Sequence, residues 1–235
     1  MSESNELNLV IPVYNEQEAI GNVLEKWSEE LDRLSINYKI HVYNDGSKDK
    51  TLDILNKISC KLKNVIVHDK LNSGHGPTIL LGYRENSNSR WLFQIDSDDE
   101  FGPDDFEKLW KERENYDFLL GRKKESDAPL PRKIVSLISR LTVWILYGRG
   151  VYYVNSPYRL MRCEKFKDYY SKIPEDTFAP NVILTGIASN KKFRIYEIPV
   201  SYKLRTTGEV SIKKWKLFKV AARSFMQTIM FRFKI

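Results

Sequence analysis

The sequence contains no run of 18 or more apolar residues, so no segment is expected to cross a bilayer as a helix. Its opening, MSESNELN, is polar and acidic and lacks the basic and apolar regions of a secretory signal. It has two cysteines, Cys60 and Cys163, far apart and outside any metal-type spacing. They support neither a disulfide framework nor a cysteine-built metal site, and they fit a reducing compartment. Glycine and proline, 11 and 9 of 235 residues, are not enriched, and no period or low-complexity tract appears. Collagen-like, repeat and wholly disordered architectures are thereby excluded.

What is present is a chain of single-domain size, 42% hydrophobic and able to bury a core. Its net charge of +7 calls for an anionic partner: nucleic acid, an anionic membrane surface or a phosphorylated substrate. Composition does not choose among them.

Patterning predicts alternation. Residues 7–13 are an apolar run closed by Pro12-Val13-Tyr14-Asn15, a buried strand and a turn. Ile20, Leu24, Trp27 and Leu31 recur at helical spacing and predict a helix over 16–34. A strand at 38–43 closes on Asn44-Asp45-Gly46-Ser47, and Leu52, Leu55 and Ile58 mark the next helix. A strand at 65–67, a helix at 78–85 after a Gly-rich turn, and a strand at 91–95 follow. The expected fold is α/β, with a mostly parallel sheet and helices on both faces. Ligands in such sheets sit beyond the carboxyl ends of the strands, where three of these strands end in polar or Gly-rich residues. Further on, residues 132–147 form an amphipathic helix with an apolar stripe of Ile134, Leu137, Ile138, Leu141 and Ile145. Arg132, Ser136 and Arg140 share another of its faces. A strand is expected at 193–202 and a final helix at 211–233, with Trp215, Phe218, Ala222, Phe225, Ile229 and Phe233 along one side.

Four carboxylates, Asp96, Asp98, Asp99 and Glu100, fall within five residues straight after a strand. They repel one another and call for a counter-charge. A hard divalent cation shared with substrate phosphates is one answer; a solvated acidic loop leading into a helix after Pro103 is the other. In extended chain Asp96, Asp98 and Glu100 point one way and Asp99 the other. Asp45 is suited either to cap the helix that begins near Ser47 or to accept from a nucleobase edge. Residues 72–77 form a turn whose N–H groups suit a phosphate, but the Lys-Ser/Thr ending of a Walker loop is missing. His75 reads either as a surface turn residue or as a catalytic candidate. Arg122, Lys123, Arg132, Lys133, Arg140, Arg205, Lys213 and Lys214 read as a solvated face or, for the arginines, as phosphate forks.

Four segments then occur in order: residues 9–16 (LVIPVYNE), 43–51 (YNDGSKDKT), 72–77 (NSGHGP) and 96–98 (DSD). Together they resemble the family-two glycosyltransferases of GT-A fold. The second half resembles the polyprenyl-phosphate sugar transferases, the dolichol-phosphate mannose synthase group. It does so through Gly121-Arg122, the helix carrying Arg132 and Ser136, Asn155-Ser156-Pro157-Tyr158-Arg159, Glu197-Ile198-Pro199-Val200, and Arg205-Thr206-Thr207-Gly208. The resemblance implies a GT-A (Rossmann-like) catalytic domain over 1–210 and a C-terminal amphipathic helix over 211–235 that suits a membrane surface. It implies that Pro12, Tyr14, Glu16, Asp45, Asp96 and Ser97 bind the nucleotide. Asp96, Asp98 and Glu100 would hold Mg²⁺ or Mn²⁺, and Arg122, Arg132, Ser136 and Arg205 a phosphate. Asp98 and Asp99 are the candidate catalytic carboxylates. Two departures stand out: Tyr153, Val154 and Asn155 occupy the place where the family often has an acid, and the C-terminal transmembrane helices of many members are absent.

The implied reaction is inverting sugar transfer from a UDP- or GDP-type donor to a polyprenyl phosphate, at the cytoplasmic face of the membrane. An acceptor phosphate with a second pKa of about 6 is already anionic and needs no carboxylate base, so the missing acid is tolerable. The partners expected are the nucleotide sugar, the lipid phosphate, an anionic membrane surface and a membrane-protein partner in place of the absent helices. Transfer to a hydroxyl of a surface polysaccharide or glycolipid, with Asp99 as base, is the competing reading. Nucleic-acid binding is disfavoured because the acidic segment repels phosphates.

Overall fold

A computed structural model describes residues 5–123, 130–148, 151–203 and 225–232, with the backbone alone for 130–136. Seven strands form one sheet: β1 (Leu7–Val13), β2 (Tyr38–Asp45), β3 (Val65–Lys70), β4 (Trp91–Gln94), β5 (Phe118–Lys123), β6 (Arg159–Arg162) and β7 (Ile195–Val200). Their order is β3-β2-β1-β4-β6-β5-β7. All neighbours are parallel except at β6, which runs antiparallel to both β4 and β5. The sheet is therefore mixed and mostly parallel, as the patterning predicts.

The chain turns back at β1, with β2 on one side and β4 on the other. Every residue of β1 is buried, because helices cover both faces. One layer packs Leu9, Ile11 and Val13 against α1 (Ile20–Arg33), α2 (Thr51–Lys61) and α4 (Phe106–Glu112), through Trp27, Leu55 and Phe106. The other packs Val10 and Leu92 against α3 (His75–Glu85), α6 (Cys163–Tyr170) and α7 (Pro180–Asn190), through Tyr83, Phe166 and Ile183.

The two sides of β1 are unequal. β2 pairs along its whole length, whereas β4 pairs only from Leu7↔Trp91 to Val10↔Gln94. The Val10 carbonyl accepts from Ile95 N–H at 3.3 Å. The next β1 residue facing that way is Pro12, which has no N–H to donate. The ladder ends there and the chain after Gln94 is released.

Three differences from the sequence reading have physical causes. The first helix starts at Ile20, not 16; Glu16 and Gln17 belong to the turn before it and donate their N–H groups to Thr51 and Asp49. The strands expected at 91–95 and 193–202 are shorter, at Trp91–Gln94 and Ile195–Val200. The largest difference concerns α5 (Leu130–Tyr147). Leu137, Ile138, Leu141 and Ile145, read as its apolar stripe, are exposed, Ile145 by 75%. The opposite side, with Val143 and Tyr147, packs on α7, and the Tyr147 ring lies over Gly186, where a Cβ would come within 2.9 Å of it. α7 is buried almost throughout and so shows no stripe in sequence. The Ile134 side chain lies outside the described residues. Of the final helix expected at 211–233, residues 225–232 are described and helical. They are tied to α5 by Tyr147 Oη donating to Thr228 O and Arg232 Nε donating to Leu146 O.

At the β2–β3 edge, His41 Nδ1 lies 3.1 Å from His68 Nε2. Burial, reinforced by His68 and Lys39, pushes His41 down to about 4. The fold thus holds it neutral, while the unfolded chain takes up a proton near pH 6.5. Its stabilisation is complete above pH 6.5 and is lost as pH falls towards 4, about 3 kcal/mol over the interval. Urea unfolding at pH 7.5 and 5 should show this fall, and His41→Gln should flatten it.

Candidate functional site

The carboxyl ends of β1, β2, β4 and β5 share one edge. The turns after β1 and β2 are joined there in a seam of five hydrogen bonds. Asn15 N–H donates to Ser47 Oγ at 2.9 Å, and Lys48 N–H donates to Asn15 Oδ1 at 2.8 Å. Glu16 N–H donates to Thr51 Oγ1 at 2.9 Å, Gln17 N–H to Asp49 Oδ2 at 3.2 Å, and Lys50 N–H to Gln17 Oε1 at 2.9 Å. Asn15 takes a left-handed backbone, φ 54°, which short amide side chains tolerate. The N-cap of α2 is Lys50, and Asp49 before it accepts at Oδ1 from Thr51 N–H, so Asp45 is not the cap that the sequence offered.

Asp45 instead closes the loop before α3. It is buried at the end of β2, where the register sets it beside Lys70. Its Oδ1 accepts from Lys70 Nζ and from Ser73 N–H, and its Oδ2 from Gly74 N–H at 2.9 Å. Burial alone would raise its pKa, but the Lys70 ammonium and the loop N–H groups outweigh that and hold it below the usual carboxylate range. Gly46 is needed here: its φ is +66°, and a Cβ would sit 2.8 Å from Asn72 N. The loop leads to His75, at the start of α3. Beside it opens a cleft of about 480 Å³, lined among others by Lys70, Ser73, His75, Arg84 and Asp176.

After β4 the acidic segment bends instead of running straight. Asp99 is left-handed, φ 55°, and its Oδ2 accepts from Lys26 Nζ of α1 at 2.7 Å. Glu100 faces the end of β5, taking Lys123 Nζ at 3.3 Å and Tyr202 Oη at 3.1 Å. Asp98 Oδ1 accepts from Glu100 N–H at 3.2 Å. Asp96 Oδ1 accepts from Gln94 Nε2 at 3.0 Å and lies 3.5 Å from His75 Nε2. The alternation read from an extended chain therefore does not hold: Glu100 is turned to Lys123, and Asp99 to Lys26. Among the described residues no three His, Cys, Asp or Glu side chains converge as a ready metal cage. Asp96 and Asp98, two part-exposed carboxylates, still fit a hard cation that keeps its other positions for water and phosphate oxygens.

Residues 8–170 match the pattern of Glycosyl transferase family 2. The chain belongs to this family. Among curated proteins it is 26% identical over 217 residues to an undecaprenyl-phosphate 4-deoxy-4-formamido-L-arabinose transferase of Photorhabdus laumondii, covering 91% of this chain and 65% of that one. It is 26% identical over 239 residues to a dolichyl-phosphate beta-glucosyltransferase of Trichomonas vaginalis, covering 92% and 72%. The chain thus spans about two thirds of the length of these relatives. Among solved structures, glucosyl-3-phosphoglycerate synthase from Mycobacterium tuberculosis superposes with a TM-score of 0.70 at 13% identity, over 98% of this chain and 81% of that one. A mannosyltransferase from Pyrobaculum calidifontis, in complex with GDP-Man and Mn²⁺, gives 0.65 at 14% identity, over 100% and 66%. At such identities these two likenesses speak for the fold.

In this family-2 chain, Tyr14, Glu16, Asp45, Asp96, Ser97 and Asp98 stand together at one edge, with Pro12 buried in β1 beneath them. Arg122 lies on β5 beside Lys123. The side chains of Arg132 and Ser136, on α5, and all of Arg205 lie outside the described residues. Sequence reasoning missed Lys70, Lys26 and Gln94. The first two are lysines without local distinction; Gln94 was legible as the single polar residue inside Trp91–Ile95. Sequence reasoning named Arg159 without giving it a role; this residue is fully buried and, among the described residues, donates to the carbonyls of Ser156, Asn181 and Val154. Burial brings that guanidinium down to about 10, still charged at neutral pH.

Lys70→Met leaves Asp45 buried without its cation. Unfolding by urea at pH 7 should show a loss of about 3 kcal/mol or more. Asp45→Asn in the same background should recover part of it.

Proposed function

We propose that this chain transfers a sugar, with inversion, from a nucleotide-diphosphate donor to a polyprenyl phosphate at the cytoplasmic face of a membrane. The observation that carries the reading is the placement of Asp96 and Asp98 where β4 stops, between the seam of the first two turns and the cationic end of β5. The names of the two curated relatives, both polyprenyl-phosphate sugar transferases, point the same way.

In this reading the seam at Tyr14–Glu16 and the loop fixed by Asp45 hold the nucleoside, with Pro12 giving the edge its shape. Ser97 and Asp96 border the diphosphate. A divalent cation, Mg²⁺ or Mn²⁺, held by Asp96 and Asp98 would neutralise charge on the leaving diphosphate. Arg122, with Arg132, Ser136 and Arg205, takes the acceptor phosphate, which attacks as an anion without a base. That choice is supported by Asp99, the one carboxylate assigned as base in the hydroxyl-acceptor reading, which is held by Lys26 and Asn22. Glu100, paired with Lys123 and Tyr202, shapes the wall of the site.

Access to a lipid acceptor is supported by α5, which exposes Leu137, Ile138, Leu141, Trp144 and Ile145, and by Phe225, Met226 and Met230 next to it. Such a face suits the headgroup boundary of an anionic membrane when flanked by basic residues. No helix among the described residues is long and apolar enough to cross a membrane.

Incubation of membranes with radiolabelled UDP- and GDP-sugars should place label in an organic-extractable, mild-acid-labile product. Asp96→Ala and Asp98→Ala should each lower its rate by about 10²-fold or more. A nucleoside diphosphate should raise the melting temperature with Mn²⁺ more than without it. Label appearing only in polysaccharide would overturn the lipid-phosphate assignment.

A further inference from the structure

Gln94 is the last residue of β4 and is fully buried in an otherwise apolar strand. An amide in that place is costly unless its polar atoms are paired, by about 1–3 kcal/mol for each group left unpaired. The pairing it finds is directional. Asn181 Nδ2, at the start of α7, donates to Gln94 Oε1 at 3.0 Å. The Tyr83 hydroxyl of α3 lies 2.8 Å from Asn181 Oδ1 and 3.2 Å from Gln94 Oε1. Both neighbours thus turn Gln94 Oε1 inwards. Its Nε2 is left to face Asp96 Oδ1 at 3.0 Å, and a flipped amide would set oxygen against carboxylate oxygen.

Asn181 is fixed in turn. Its backbone carbonyl accepts from Arg159 Nη1 at 3.1 Å and from Thr185 Oγ1 at 2.9 Å. Arg159 also holds the carbonyl of Ser156 at 2.7 Å, and Thr185 that of Val154 at 2.8 Å. A buried polar chain therefore runs from the 154–156 loop through α7 and β4 to one carboxylate at the sheet edge. Asp45, Asp99 and Glu100 each face a lysine; among the described residues Asp96 faces the Gln94 amide and the His75 imidazole.

We propose that Gln94, braced by Asn181 and Tyr83, is a positioning residue for Asp96. It holds the carboxylate in one orientation without neutralising it, so that its remaining lone pairs are presented to a divalent cation on a nucleoside diphosphate. This rests on the functional reading above. A lysine in the same place would also orient Asp96, but would cancel the charge that attracts a cation.

The test measures Mn²⁺ binding in the presence of UDP or GDP, by the loss of the free-ion electron paramagnetic resonance signal. Gln94→Met keeps the length and removes the donor. It should weaken Mn²⁺ by about tenfold or more, the usual cost of losing a group that orients a metal ligand. Tyr83→Phe, a milder change in the same chain, should weaken it by a smaller factor. Tyr83→Phe leaves Asn181 Oδ1 without its donor, so its metal-free melting temperature should fall by a few degrees while its circular dichroism stays that of the folded chain, and excess Mn²⁺ should restore the turnover of both variants. If Gln94→Met does not fold, Tyr83→Phe decides by the same measurement. Unmodified Mn²⁺ affinity in the folded variants overturns this inference alone. Absence of Mn²⁺ binding by the unmodified chain with either nucleotide overturns the functional reading and this inference with it.

Discussion

Pro12 has no N–H to give, and the edge that carries the acidic segment takes its shape from that. β1 is the central strand on which the chain reverses its order, and a central strand ordinarily keeps both neighbours paired to its end. Here the β2 side continues to Val13↔Asn44 while the β4 side stops at Val10↔Gln94. The difference opens a notch, and the chain leaving β4 is free to bend within it. Asp96, Asp98, Asp99 and Glu100 all lie after that release. Had the ladder continued, Asp96 would be a strand residue with its backbone engaged and its neighbours alternating across the sheet.

Charge compensation sorts the carboxylates in the notch. Asp45 is matched to Lys70 by strand register, Asp99 to Lys26 by the turn of α1, and Glu100 to Lys123 by the end of β5. The pairs are of different worth. Lys70–Asp45 is largely buried, and its loss leaves an uncompensated charge. Lys26–Asp99 is a part-exposed pair of the kind that contributes about 1 kcal/mol or less. Both occupy a carboxylate with an ammonium, and Lys26–Asp99 also ties the bend after β4 to α1.

The first half of the chain was readable because parallel strands buried on both faces are self-contained apolar runs, each closed by its own turn residues. The four segments that suggested the family lie on those turns. The seam explains why the Asn15–Gln17 and Ser47–Thr51 residue types occur together, which spacing alone does not show. The second half was harder for reasons of the same kind. β6 is four residues long with an arginine at each end. α7 is buried nearly all round and has no stripe. The stripe of α5 was visible, but periodicity reports that a helix has an apolar side, not what that side meets. The alternation of Asp96, Asp98 and Glu100 was read from extended geometry and is broken at the left-handed Asp99, which no pattern of residue types announces.

The seam has a consequence for how such a chain can vary. Its five bonds take donors and acceptors from both turns, and no residue on one side finds all its partners on its own side. Exchange of residues 15–17 alone, or 47–51 alone, for a foreign loop strands groups on the side that was kept. The two stretches, some thirty positions apart in the sequence, are therefore one structural unit, and a graft that keeps the seam must exchange both together.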